Sequence, residues 1–72
     1  MKNSFSHTRI KERRQKLGLT QQELSELSGI PRSYLVQIEN GKNDPKASTL
    51  IKIADALRVN PGYFFVNGVR NI

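Results

Sequence analysis

The stretch Leu17–Gly41, LGLTQQELSELSGIPRSYLVQIENG, decides how this chain is read, because it fits two capped helices around a tight turn. Thr20 and Glu23 have the spacing of a capping box, in which the threonine hydroxyl accepts from an early amide and the glutamate returns a bond to the Thr20 amide. A helix therefore starts at Gln21. Leu24 and Leu27 lie on adjacent positions of it, Ser25 and Ser28 are small enough to admit another helix, and Gly29 supplies the left-handed residue that ends it. The chain turns over Gly29–Pro31. Pro31 has a fixed φ and no amide, which suits a position just before or at the start of the next helix, at about residues 32–40. On that helix Leu35 and Ile38 point inward, whereas Arg32, Ser33, Val36 and Gln37 point outward, and Asn40–Gly41 ends it.

Three further helices surround this pair. The first runs over about Ser6–Leu17, where Phe5 and Ile10 have the spacing of a hydrophobic staple around a Ser6 cap. Its inward face is thin, with Ile10 and Leu17 on it and Arg14 between them. The fourth, about Ser48–Leu57, carries Leu50, Ile53, Ala54 and Leu57 at i, i+3, i+4 and i+7, the clearest amphipathic pattern in the chain. The fifth is short, with Asn60 as cap and Pro61 at its first position, and ends near Phe65. No segment alternates as a strand should. The expected fold is all-α, a compact five-helix single domain over residues 1–72 with its core at about 6–65 and frayed segments at Met1–Ser4 and after Gly68.

Seventy-two residues leave a core of marginal size and no room for a deep enzyme cleft, so a partner subunit is a natural source of extra stability. Twelve Lys and Arg against six Asp and Glu give a net charge of +6, which favours a polyanionic partner, although basic ribosomal and membrane-surface proteins share that balance. The absence of cysteine rules out disulfides and thiolate metal sites. The longest apolar run is far too short to span a bilayer, and the expected location is the cytoplasm. Catalytic chemistry is missing: there is one histidine, His7, expected as a solvated side chain, and no nucleophile with a base in evident reach. Glycine patterns for phosphate or dinucleotide cofactors are absent too, and no cofactor is expected.

The ordered set T-Q-x-E-L-S-x-x-S-G-I-P-x-x-x-L-x-x-I-E-N-G, Thr20 to Gly41, is similar to the helix-turn-helix of the Cro and repressor family, which includes lambdoid phage repressors, restriction-modification controller proteins and small bacterial regulators. The resemblance continues through Pro45 and Leu50–Leu57 to Phe65, over roughly residues 6–65. It implies a lambda-repressor-like DNA-binding domain with the motif at the second and third helices, and a transcriptional regulator of duplex DNA. Two departures stand out: Pro31 occupies a position where many members have a Ser or Thr cap, and Ser25 one where most have Ala.

In that context Arg32, Ser33 and Gln37, with Val36 beside them, are the expected base-reading residues. Arg suits the two acceptors of guanine, Gln the donor and acceptor of adenine, Ser either, and Val a thymine methyl. Thr20 and Gln21 lie at the amino end of the second helix, where amides and the dipole favour an anion, and the resemblance implies a phosphate contact for Gln21. Asn40, Lys42 and Lys46 form a basic loop after the recognition helix, suited to the DNA backbone, with Arg9 as a weaker candidate. Tyr34 is open between a ring packed on the scaffold with its hydroxyl reaching a phosphate and a ring that simply covers core. Asp44 would repel DNA and is read as serving the turn before Pro45. Arg14 and Glu39 both fall on inward faces, and the resemblance implies that they pair, tying scaffold to recognition helix in a structural role.

The carboxyl end carries Tyr63, Phe64, Phe65, Val66 and Val69, more apolar surface than one small core takes up. Phe64 and Leu57 are expected to close the core, and Phe65, Val66 and Val69 to form a homodimer contact that would match a palindromic operator. Two other classes stay open. One is a DNA-binding antitoxin or protein-interaction module that docks a toxin or other protein partner. The other is an RNA-binding basic protein, although its basic segments lack the interleaved aromatics that stack bases. With no room for a ligand domain, regulation would act through the protein's own concentration.

Overall fold

The computed structural model describes residues 3–67, which form β1 (Asn3–Phe5), α1 (His7–Lys16), α2 (Gln21–Ser28), α3 (Arg32–Glu39), α4 (Ala47–Ala56), a 3-10 turn (Pro61–Phe64) and β2 (Phe65–Asn67). Helix α2 begins with both halves of the capping box: Glu23 N donates to Thr20 Oγ1 at 3.0 Å, and Thr20 N donates to Glu23 Oε1 at 2.8 Å. It ends at Gly29, whose φ of 75° is open to glycine at no steric cost. Ser25 and Ser28 close the turn rather than merely making room, since Ser25 Oγ donates to Ile30 O and Ile30 N donates to Ser28 Oγ. Helix α3 then starts from Pro31 with no side-chain cap.

Three helices end in the same Schellman geometry, in which the amides of the two residues after the cap fold back on the last carbonyls. After α1, Gly18 N and Leu19 N donate to Gln15 O and Arg14 O; after α3, Gly41 N and Lys42 N donate to Ile38 O and Gln37 O. After α4, Arg58 N and Val59 N donate to Asp55 O and Ala54 O. There the left-handed residue is Arg58, at φ 61°, where a side chain is disfavoured.

The core is one cluster of Ile10, Leu24, Ile30, Leu35, Ile38, Leu50, Ile53, Ala54, Leu57 and Phe64. Each helix contributes the residues its period directs inward, and Phe64 is delivered by the 3-10 turn. Leu17 and Leu27 stay outside, 38% and 61% exposed, so the inward face of α1 consists of Ile10 and Arg14. The chain is built around helices, but with four α-helices rather than five. Over residues 61–64 Pro61 has no amide and Gly62 propagates a helix poorly; Asn60 Oδ1 accepts from Gly62 N, Asn60 O accepts from Tyr63 N, and the segment tightens into a single 3-10 turn.

A second departure from the sequence reading is a small antiparallel pair, with Asn3 opposite Asn67, Ser4 opposite Val66 and Phe5 opposite Phe65. Asn3 and Ser4 are therefore paired backbone, not frayed. The Phe5 and Phe65 rings meet edge to face at 5.9 Å and both pack on the core, and Ser6 N donates to Phe64 O at 2.7 Å. Ser6 thus holds the cap position of α1 through its backbone, its hydroxyl making no capping bond. Residues 1–2 and 68–72, among them Val69, lie outside the described residues. Among those described, no helix is long and apolar enough to cross a membrane.

Candidate nucleic-acid interface

Helix α3 is held from behind by a polar cluster centred on Glu39. Arg14 meets its carboxylate with two parallel bonds, Nε to Oε2 at 2.8 Å and Nη2 to Oε1 at 3.0 Å, and its third nitrogen, Nη1, donates to Leu19 O at 2.8 Å. Gln21 Nε2 donates to the same Glu39 Oε1 at 3.2 Å. The side chains of Arg14 and Glu39 are 10% and 1% exposed, so the pair is buried, with every guanidinium nitrogen and both carboxylate oxygens engaged. A bidentate guanidinium–carboxylate pair fixes orientation as well as distance, and here it locks the end of α1 and the start of α2 to the last turn of α3.

His7, at the amino end of α1, joins this anchoring. Its Nδ1 donates to Glu39 O at 2.9 Å, and its ring lies over Gly41. A Cβ at Gly41 would sit 2.8 Å from His7 Nε2, so the His7 ring would have to shift to admit one, and the φ of 77° favours glycine besides. The expectation of a solvated His7 is thereby corrected. Nothing in the sequence signals this contact, which joins residues 32 apart.

The opposite side of α3 presents Arg32, Ser33 and Gln37, all exposed, with Val36 half-buried next to them. Among the described residues Arg32 and Ser33 make no side-chain hydrogen bond, while Gln37 Oε1 accepts from Asn43 Nδ2. Asn43 is a residue that the sequence reading passed over. Tyr34 is half-buried with its ring packed against the core, a placement common to both of its expected roles.

The residues expected at the DNA backbone occupy three places. Thr20 Oγ1 accepts the Glu23 amide, which leaves its hydroxyl hydrogen for an outside acceptor; Gln21 spends one amide proton on Glu39 and keeps the rest. Asn40, Lys42 and Lys46 are exposed along the segment from the end of α3 to the start of α4. Arg9 faces elsewhere, its Nη1 donating to Tyr63 O at 3.0 Å and its guanidinium lying 5.4 Å from the centre of the Tyr63 ring. Phe65 is half-buried against Phe5, so it is not left without a core as the sequence reading had it. Among the described residues no His, Asp and Glu cluster is arranged to hold a metal ion.

Residues 10–64 match the family model described as helix-turn-helix. The chain is 37% identical over 57 residues to an uncharacterized HTH-type transcriptional regulator of Mycobacterium tuberculosis; the match covers 79% of this chain and only 41% of that regulator. The structure resembles the restriction-modification controller protein C.AhdI from Aeromonas hydrophila with a TM-score of 0.79 and 36% identity, over 82% of this chain and 89% of the other. It also resembles the P22 c2 repressor in its complex with a synthetic operator, with a TM-score of 0.78 and 28% identity, over 85% of this chain and 92% of the other. Proteins of this fold and family regulate transcription and are not enzymes. With three-quarters of its residues inside the family model and a fold shared with phage repressors, the chain belongs to the Cro/C1-type helix-turn-helix family of DNA-binding transcriptional regulators.

Proposed function

We propose that this chain acts as one DNA-binding domain that recognises a palindromic operator as a homodimer, with α3 in the major groove. In this reading Arg32, Ser33 and Gln37 meet base edges and Val36 lies against a thymine methyl. Thr20, Gln21, Asn40, Lys42 and Lys46 hold the phosphates on either side, with the Tyr34 hydroxyl directed to the same backbone. The observation that carries the proposal is the two-sidedness of α3: a polar, exposed face free of the core, on a helix fixed from behind by Glu39. The excess of positive charge, +6 over the chain, supplies attraction to the polyanion. An operator on the chromosome would place the protein in the cytoplasm.

Dimerisation follows from the small reach of a single motif, which reads too few base pairs to stand out from a genome of competing sites. Two recognition helices separated by one turn of DNA, about 34 Å, would match a palindrome. The proposed contact uses Phe65, Val66 and Val69. Selection of bound sequences from random duplex DNA at a stated salt concentration tests the whole reading. A palindromic consensus is expected, with one column per half-site relaxed by Arg32→Ala and another by Gln37→Ala. If both variants keep the wild-type profile, the outward face of α3 is not the reading surface. Sedimentation of the free protein and of the Val66→Glu variant tests the dimer, which a monomeric wild type on DNA would rule out.

A further inference from the structure

Resting on that reading, we infer that His7 is a further contact to the DNA backbone, made only by its protonated ring, so that the protein takes up a proton as it binds DNA. A carbonyl oxygen only accepts, so the 2.9 Å bond from His7 Nδ1 to Glu39 O fixes the tautomer: Nδ1 carries the hydrogen and, in the neutral ring, Nε2 carries a lone pair. Nε2 is the ring atom nearest to the place a Gly41 Cβ would take, 2.8 Å from it, and it makes no hydrogen bond among the described residues. Asn40, Gly41 and Lys42 are all exposed, and Asn40 and Lys42 are the proposed phosphate contacts on either side of the glycine. The free nitrogen of a half-buried ring thus lies at the segment that the DNA-binding reading sets along the backbone.

Protonation changes what this nitrogen offers without loosening the bond to α3. In the neutral ring the Nε2 lone pair meets a phosphate oxygen as acceptor against acceptor. The imidazolium keeps Nδ1–H on Glu39 O and adds an Nε2–H donor and a positive charge, both of which suit a phosphate. It also lies at the carboxyl end of α3, where the helix dipole favours a cation. The charged and titratable groups on the elements about the ring are Lys11, one turn further along α1, Glu39, whose carboxylate is turned to Arg14, Lys42 and Asp44 on the loop, and Tyr63 on the 3-10 turn, whose ring lies beside Arg9. Arg14–Glu39 is the only ion pair among the described residues, so no carboxylate there already neutralises a charged His7. A phosphate would be its first anionic partner.

The test is the affinity for a mixed-sequence DNA duplex over a series of salt concentrations, at about pH 8 and at about pH 5.5, a range over which an imidazole gains its proton. His7 is the one histidine of the chain. Because binding takes up a proton, affinity should rise as the pH falls, by about three- to tenfold across this range. The log–log salt slope should steepen by about 0.9 for each bound chain, the signature of one more neutralised phosphate. His7→Asn, whose amide nitrogen still donates to Glu39 O but takes up no proton, should show neither change, with thermal melts at both pH values to show that it is folded. A purely structural His7 would leave the wild-type salt slope the same at both pH values, which overturns the inference whatever the variant does. A folded His7→Asn variant that keeps the wild-type steepening overturns it as well. Either result, with a steep slope at both pH values, leaves the DNA-binding proposal standing. A flat salt response at both pH values overturns both.

Discussion

Two faces of one helix divide the labour in this protein. The inner face of α3 carries Leu35, Ile38 and Glu39, all buried, with the Glu39 carboxylate gripped by Arg14 and Gln21 and its carbonyl by His7. The outer face carries Arg32, Ser33 and Gln37, exposed, and only Gln37 has a side-chain partner there among the described residues. Eight residues thus hold both the most constrained and the least constrained side chains of the motif. Because no side-chain hydrogen bond joins the two sets among the described residues, the outer set can change with little effect on folding, whereas the inner set aims whatever the outer set presents.

The largest way to break this comparison is at Glu39. Glu39→Ala should strand the buried Arg14 charge and cost about 3–5 kcal/mol in urea unfolding. Replacing both partners, Arg14→Met with Glu39→Leu, should recover most of that loss, because the desolvated charges disappear together. A small effect from Glu39→Ala would mean that α3 is held by apolar packing alone. Arg32→Ala samples the other face. Its unfolding free energy should stay within about 0.5 kcal/mol of wild type, while specific DNA binding weakens by about 1–3 kcal/mol. If the stability falls as far as the binding, the two faces are not independent.

Intermediate in size is Gly41→Ala, expected to cost about 1–2 kcal/mol from the left-handed backbone alone. The clash with the His7 ring adds to it. Combining it with His7→Ala should remove the clash and leave the backbone part, so the double variant should be more stable than additivity predicts. The smallest effect lies away from both faces and gauges the cost of a left-handed residue by itself. Arg58→Gly should stabilise the fold by about 0.5–1 kcal/mol, the relief at φ 61° less the added freedom of the unfolded chain. No gain would mean that the Arg58 side chain contributes something its removal forfeits.

Legibility in the sequence followed the range of the interactions. The capping box of Thr20 and Glu23, the left-handed Gly29 and the apolar spacing of Leu50, Ile53, Ala54 and Leu57 are all decided within one or two turns of chain, and a sequence displays them directly. The outward placement of Arg32, Ser33 and Gln37 follows from the same periodicity once Leu35 and Ile38 are assigned inward. What stayed hidden depends on distant partners. Strands of three residues are too short to show an alternating pattern, so the pairing of Asn3–Phe5 with Phe65–Asn67 leaves no signature in either segment. His7 on Gly41 joins two elements that only the fold brings together. Arg58 breaks the expectation that glycine marks a left-handed cap, and the bond from Asn43 to Gln37 depends on how tightly the chain folds back after α3.

The clasp between β1 and β2 sets an order of events during synthesis. Phe5 is made early, but its partner Phe65 follows 60 positions later, so the clasp cannot close until the four helices have left the ribosome. By then α1 to α4 can meet through contacts of shorter span, whose closure entropy is lower. The clasp is therefore expected to form late and to contribute little to the folding transition state. Weakening it at Phe5 should speed unfolding while leaving the folding rate nearly unchanged, so these six residues act as a latch on the lifetime of the folded domain.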